Sequence, residues 1–156
     1  MTVAPTLQKY LAKENVEYDL IPHELTMSST STAEACHIPT DRLAKGVVVR
    51  DGGGYVLAVV PASHHVRLSD LKMQLGFDVD LATEHEIDQL FRDCAHGAVP
   101  PVGECYGLDV IVDDSLQGQR EVYLEGGDHA TLIHMSRAQF ARLTTRARHG
   151  RFSAHI

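Results

Sequence analysis

Leu43-Ala44-Lys45-Gly46-Val47-Val48-Val49-Arg50 and Tyr55-Val56-Leu57-Ala58-Val59-Val60-Pro61, joined by Asp51-Gly52-Gly53-Gly54, form the stretch from which the fold is read. Two apolar, β-branched runs on either side of a glycine-rich turn make the strongest hairpin signal in the chain. Downstream, residues 108–112, 121–124 and 131–134 read as three more strands, and upstream residues 18–21 read as another, stopped by Pro22. Helices fall around them. Pro5 precedes Leu7, Tyr10, Leu11 and Val16 at amphipathic spacing. Ser31 with Glu34 forms a capping box for a short helix through Ala33, Ala35 and Cys36, and Thr83 with Glu86 forms another through Ile87, Leu90 and Phe91. Ser69 caps a helix through Leu71, Met73 and Leu75 that Gly76 ends, and Ser136 opens the last helix through Phe140 and Leu143. Strands outnumber the helices between them and several look antiparallel. The expected class is α+β: a curved mixed sheet closing into a barrel-like core with flanking helices.

The chain has 156 residues, the length of a single domain (1–156), ending in an Arg-rich helix or tail over 137–156. A globule of this size buries roughly 70% of its unfolded surface and needs no disulfide or structural metal. Apolar residues at 44% and charged residues at 22% exclude wholesale disorder. Trp is absent and aromatics are 6%, which argues against a stacking platform for single-stranded nucleic acid. The longest apolar run, residues 56–60, is far too short to span a bilayer, and residues 1–20 lack a signal-peptide pattern. Cys36, Cys94 and Cys105 are an odd set with no C-x-x-C spacing, as suits reduced thiols, so a cytoplasmic protein without membrane contact is expected. Net charge is −7, but Arg137, Arg142, Arg146, Arg148 and Arg151 share a terminal segment with no acid, leaving −12 on residues 1–136. That segment reads either as the solvated face of a terminal helix or as a contact for phosphates.

Several motifs fail. Asp51-Gly52-Gly53-Gly54 lacks the Gly-Lys-Ser/Thr of a phosphate loop, and Gln89 and Met27 stand where zinc-binding helices would need a second His after His85-Glu86 and His23-Glu24. There is no Pro-Cys-x-x-Cys and no Gly-x-Ser-x-Gly elbow. Cys94, His96 and Cys105 are scattered soft ligands, weak grounds for a metal, so none is expected.

Three features survive. Lys45 shares a strand face with Leu43, Val47 and Val49, and its neighbours Ala44, Gly46 and Val48 are small or apolar. A lysine there snorkels to water, pairs, or meets an anionic ligand. Gly97-Ala98-Val99-Pro100-Pro101-Val102-Gly103 is a stiff loop, either a plain turn or a presenter of amide N–H groups to a carbonyl or oxyanion. Gly126-Gly127-Asp128-His129 lies between two strands, where a hairpin accounts for the glycines and a lone His is usually structural.

Taken in order, Lys45, Gly97-x-x-x-Pro101 and Gly127-x-His129 resemble the YbaK-like family of aminoacyl-tRNA deacylases, which includes the editing domain inserted in bacterial prolyl-tRNA synthetases and free-standing relatives. His23, the Ser/Thr-rich stretch before Ala33-Glu34-Ala35, and residues 59–61 join the match, which spans roughly 20–145. Gly46 stands where several branches carry threonine or another polar residue. The resemblance implies a mixed, barrel-like sheet and hydrolysis of the ester in a mischarged tRNA without metal or cofactor. Small amino acids on tRNA-Pro-type substrates are the implied targets. It places Lys45 and Gly97 in catalysis, and His129, Ala98, Val99, Pro101, Thr30 and Ser31 in substrate binding. The partners it implies are the aminoacyl-tRNA 3′ end and an aminoacyl-tRNA synthetase. A non-catalytic module of the same fold, binding an aminoacyl or nucleotide ligand or a partner protein, is the alternative.

Overall fold

Asp51 closes the central hairpin through its own side chain, which accepts the N–H groups of Gly53 at 3.0 Å and Gly54 at 2.7 Å. Strands β2 (Leu43–Arg50) and β3 (Tyr55–Pro61) leave this turn in antiparallel register from Arg50↔Tyr55 to Ala44↔Pro61. The computed structural model describes residues 3–156. Before the hairpin come helix α1 (Pro5–Lys13), strand β1 (Asp19–Pro22) and helix α2 (Ser29–Cys36). After it follow β4 (His64–Val66), α3 (Leu68–Leu75), β5 (Asp80–Leu81) and α4 (Glu84–Leu90). The chain ends with β6 (Asp109–Asp113), β7 (Glu121–Glu125), β8 (Thr131–Ser136), α5 (Arg137–Leu143), β9 (Arg148–Gly150) and β10 (Ser153–His155).

The main sheet is mixed, with the order β1-β8-β7-β2-β3-β6-β9, and β10 pairs β4 in a small second sheet. Along β3 the residues alternate between two cores, as the strand period requires. Leu57 and Val59 join Leu7 and Leu11 of α1 and Phe140 and Leu143 of α5. Val56, Ala58 and Val60 face the other way, toward Leu71 and Leu75 of α3 and Phe152. Both faces of the central strand are therefore covered.

One edge of β2 is unevenly filled. The parallel strand β7 lies beside it only at Leu43↔Tyr123 and Ala44↔Leu124, and the short β5 returns at Val49↔Leu81 and Arg50↔Asp80. Among the described residues no strand pairs with this edge in between. Lys45 and Gly46 sit in that gap.

The helix starts show where local chemistry decides. Thr83 and Glu86 form the expected reciprocal capping box, Ser136 caps α5, and Gly76 ends α3 at φ +85°. The box expected at Ser31 and Glu34 is not the one used. Ser28 is the cap instead, its Oγ accepting the Ser31 N–H at 3.1 Å, because any hydroxyl in the run from Ser28 to Thr32 could serve. Ser69 does not cap α3 either: the helix begins at Leu68 directly out of β4, with Arg67 at the cap position and no side-chain bond.

The Arg-rich end is more than a helix with a tail. After α5 the chain adds β9 to the sheet edge and β10 to β4, and Phe152 between them is fully buried. The Phe152 N–H donates to Asp113 Oδ1 at 3.0 Å. Asp113 is itself buried, and hydrogen bonds from Phe152 and Ser115 hold its carboxyl below the usual range against the cost of burial. Phe152→Ala is expected to cost ~3–5 kcal/mol through the cavity it leaves. Urea unfolding checks this; a change under ~1 kcal/mol would show that the segment docks without supporting the core.

Candidate functional site

Ladder geometry sets what β2 offers to its gap. The Ala62 N–H donates to the Leu43 carbonyl at 2.7 Å, so Leu43, and by alternation Lys45 and Val47, direct their backbone groups to β3. Gly46 therefore turns its backbone polar groups to the open edge. The Lys45 side chain is half-buried, and its ammonium has no hydrogen-bond or ion-pair partner among the described residues. Burial pushes its pKa below the ordinary lysine value.

Lys45 lines a cavity of about 130 Å³. Leu43, Ala44, Lys45 and Gly46 of β2 form one wall, and Met27, Ser28, Ser29 and Thr32 at the start of α2 form another. Gly97 and Val99 come from the loop before β6, and Glu125, His129 and Leu132 from β7, the following turn and β8. The volume is that of about four liquid waters, room for a small acyl group.

The loop is held from three sides. The Ala98 N–H closes a turn onto the Ala95 carbonyl at 2.9 Å, with Gly97 at φ +79° in the position that a type II turn reserves for glycine. The Ala95 N–H donates to Gly127 O at 2.8 Å, tying the loop to the turn after β7. His129 Nε2 lies 2.6 Å from the His96 carbonyl. A carbonyl oxygen only accepts, so Nε2 carries the proton and donates it. Beyond the cavity, His96 Nδ1 sits 2.9 Å and 3.0 Å from the two Asp88 oxygens, and its Nε2 is 3.4 Å from Glu84 Oε2. The Asp88 hydrogen bond, the Asp88 charge and the Glu84 charge raise the His96 pKa. Gly97 and Val99 both line the cavity, and their N–H groups have no acceptor among the described residues. Two residues with uncommitted amides therefore line the same cavity as the unpaired Lys45.

Gly46 makes the loop's approach possible. A Cβ there would lie 2.8 Å from Leu57 Cδ1, 3.4 Å from Val99 Cγ1 and 3.5 Å from Pro101 Cα. Its missing side chain is the space in which the diproline bend rests on β2. Glu125 completes the site. Its Oε2 accepts the Gly127 N–H at 3.2 Å, its Oε1 is 3.8 Å from His129 Nδ1, and burial raises its pKa.

Of the residues singled out in the sequence, Lys45, Gly97, Val99 and His129 line one cavity. Thr30 and Ser31 do not; both are exposed, because α2 begins three residues earlier than a Ser31 cap would set it, and Ser28, Ser29 and Thr32 take the cavity side. Ala98 is buried behind the loop, and Pro101 packs on Gly46 and faces a different cavity. Glu125 escaped the sequence reading because an acid at a strand end before two glycines looks solvent-facing; its place four residues before His129 is the only hint.

The larger cavity that Pro101 faces, about 440 Å³, runs from Val56, Leu75 and Phe77 to Arg146 and Arg148. Its two arginines are engaged: Arg146 pairs with Glu104 at 2.6 Å and Arg148 donates to Gln74 O at 2.7 Å. Size favours it, chemistry the smaller one. Among the described residues no three His, Cys, Asp or Glu side chains come together as metal ligands would. The cysteines are free thiols, with Cys94 pushed up to about 11 and Cys105 to about 12 by burial, so both stay protonated near neutrality.

A family model for the aminoacyl-tRNA editing domain matches residues 23–143. Among solved structures, a crystal structure of a hypothetical protein aligns at TM-score 0.85 and 22% identity, covering 96% of this chain and 99% of that one. A candidate trans-editing enzyme for prolyl tRNA synthetase aligns at TM-score 0.85 and 24% identity, covering 97% and 96%. A scaffold protein used for epitope backbone grafting aligns at TM-score 0.84 and 21% identity, covering 98% and 97%. These likenesses are of fold. No curated protein matches the chain.

The clamp on His96 has a direct reading. Asp88→Asn should lower the midpoint of the His96 ring from its raised value toward the ordinary 6.5, followed by NMR titration of the imidazole. An unchanged midpoint would mean that helix α4 does not hold the loop through this residue.

Proposed function

The chain belongs to the aminoacyl-tRNA editing domain family, and we propose that it hydrolyses, in trans, the ester of mischarged tRNA carrying a small amino acid, with tRNA-Pro-type substrates as its targets. The observation that carries this reading is the half-buried, unpaired Lys45 ammonium in the cavity that also holds Gly97 and His129. A desolvated cation without a counter-ion is unfavourable in the free protein, and an anionic ligand relieves it. The likeness to a candidate trans-editing enzyme for prolyl tRNA synthetase supports the choice of tRNA.

An aminoacyl ester is already activated, so hydrolysis needs a polarised carbonyl, a positioned water and a held acyl group. The Gly97 and Val99 amides face the carbonyl oxygen and stabilise the oxyanion, each such donor being worth ~10²–10³ in rate. Lys45 anchors the terminal phosphate or the ester. The neighbouring ribose hydroxyl or a water carries the proton. His129 is not the base through Nε2, whose proton is committed to the His96 carbonyl; it keeps the loop in place and shapes the acyl end. Leu43, Leu132, Val99 and Met27 limit acyl size, a discrimination of ~1–3 kcal/mol per methylene.

The acidic body favours a second reading, a module of this fold that binds an aminoacyl or nucleotide ligand without turnover, since autonomous tRNA binding wants a basic face. An aminoacyl-tRNA synthetase is the class of partner that would supply the missing affinity. Within the Arg-rich segment Arg137, Arg146, Arg148 and Arg151 have intramolecular partners, while the Arg142 side chain has none among the described residues. Arg142 is therefore the residue offered to the acceptor-stem backbone.

Lys45→Met should abolish deacylation of alanyl-, cysteinyl- and prolyl-tRNA with the melting temperature kept or raised, since an unpaired buried charge is removed. Measured at enzyme far below substrate, full activity in this variant would remove the proposal, and binding by the wild type without amino acid release would favour the module. Arg142→Ala should raise KM and flatten its salt dependence; an unchanged salt slope would assign Arg142 to solubility.

A further inference from the structure

Glu125 is the one carboxylate among the residues lining the cavity, and nothing in the hydrolytic scheme uses it. We infer that it receives the α-ammonium of the bound amino acid, so that the site takes aminoacyl esters with a free amine and rejects N-blocked ones. This inference rests on the deacylase reading and adds to it the class of acyl group.

The partners of Glu125 are too few for a buried anion. Its side chain is 17% exposed. One oxygen accepts a single backbone N–H, from Gly127 at 3.2 Å, while the other faces His129 Nδ1 at 3.8 Å, beyond hydrogen-bond length. With the imidazole proton on Nε2, a neutral His129 turns a lone pair, not a donor, toward this carboxylate. A carboxylate has about four acceptor positions and holds its charge in a dry site only when they are filled. Burial is the main cause raising the Glu125 pKa and the Asp128 charge adds to it, while the Gly127 amide, a charge on His129 and the Gly126 amide oppose it.

Lys45 does not neutralise Glu125 directly, because no ion pair joins them within 4.0 Å among the described residues. The cavity thus holds one separated positive and one separated negative group. An aminoacylated tRNA end has the complementary pattern: a phosphate on the nucleotide side and an ammonium on the acyl side. Docked with its phosphate toward Lys45, the ester places its carbonyl near the Gly97 and Val99 amides and its amine toward β7. Acetylating that amine removes the charge and adds bulk.

The probe is a stable amide, 3′-alanylamino-3′-deoxyadenosine 5′-phosphate, compared with its N-acetyl derivative by calorimetry. Wild-type protein should bind the free amine ~10–100-fold more tightly, the range of a charge-assisted hydrogen bond. Glu125→Gln should lose most of that preference, and Glu125→Asp should recover part of it. Equal binding of the two probes by wild type, failure to bind either, or an undiminished preference in Glu125→Gln would overturn the inference. If Glu125→Gln does not fold, the wild-type comparison alone decides. Turnover of alanyl-tRNA by wild type is assayed in parallel: absent turnover with a strong free-amine preference would remove the deacylase reading and leave amine recognition standing.

Discussion

Leu43 and Ala44 of β2 lie beside Tyr123 and Leu124 of β7, and from the next residues onward the two strands part. A parallel ladder that stops this early leaves backbone groups on a central strand without a neighbour, a condition normally confined to sheet edges. Here a loop, not a strand, packs over Gly46 beside the gap. The loop's turn at Gly97, its bond to Gly127 and the grip of His129 on His96 fix its position. Lys45 and Glu125 are the first residues past the separation on their respective strands, which is why two opposite charges come to share one small cavity.

The same geometry explains the glycines. At position 46 a side chain would collide with Leu57 and push against Val99 and the backbone of Pro101, so the residue after the lysine decides how near the diproline bend can come. Gly97 needs its positive φ to turn the loop, and a Cβ there would touch the His129 ring at 3.6 Å. Residue choice at these two positions bears on the space left between β2, the loop and His129.

Much of the frame was legible from local chemistry. The β2–β3 hairpin, the Thr83–Glu86 box, the Ser136 cap and the Gly76 stop rest on contacts within a few residues, so a single sequence carries them. The two- and three-residue strands β4, β5, β9 and β10 were not legible, because each exists only through its tertiary partner. Phe152 looked like one aromatic in a basic tail and is instead part of a core. The order of motifs along the chain singled out Lys45, Gly97, Val99 and His129, which line one cavity. Thr30 and Ser31 were misplaced because a run of hydroxyl residues does not disclose which one caps. Glu125 stayed hidden because burial at a strand end depends on what the following turn does.

One amine is central: a lysine kept partly out of water and unpaired among the described residues, which the proposed function pairs with an anionic nucleotide end. The most direct measurement is an NMR titration of the Lys45 side chain, free and then saturated with an aminoacyl-adenosine phosphate analogue. The account predicts a midpoint below the ordinary 10.5 in the free protein, rising when the analogue binds. An ordinary midpoint that does not move on binding would contradict it.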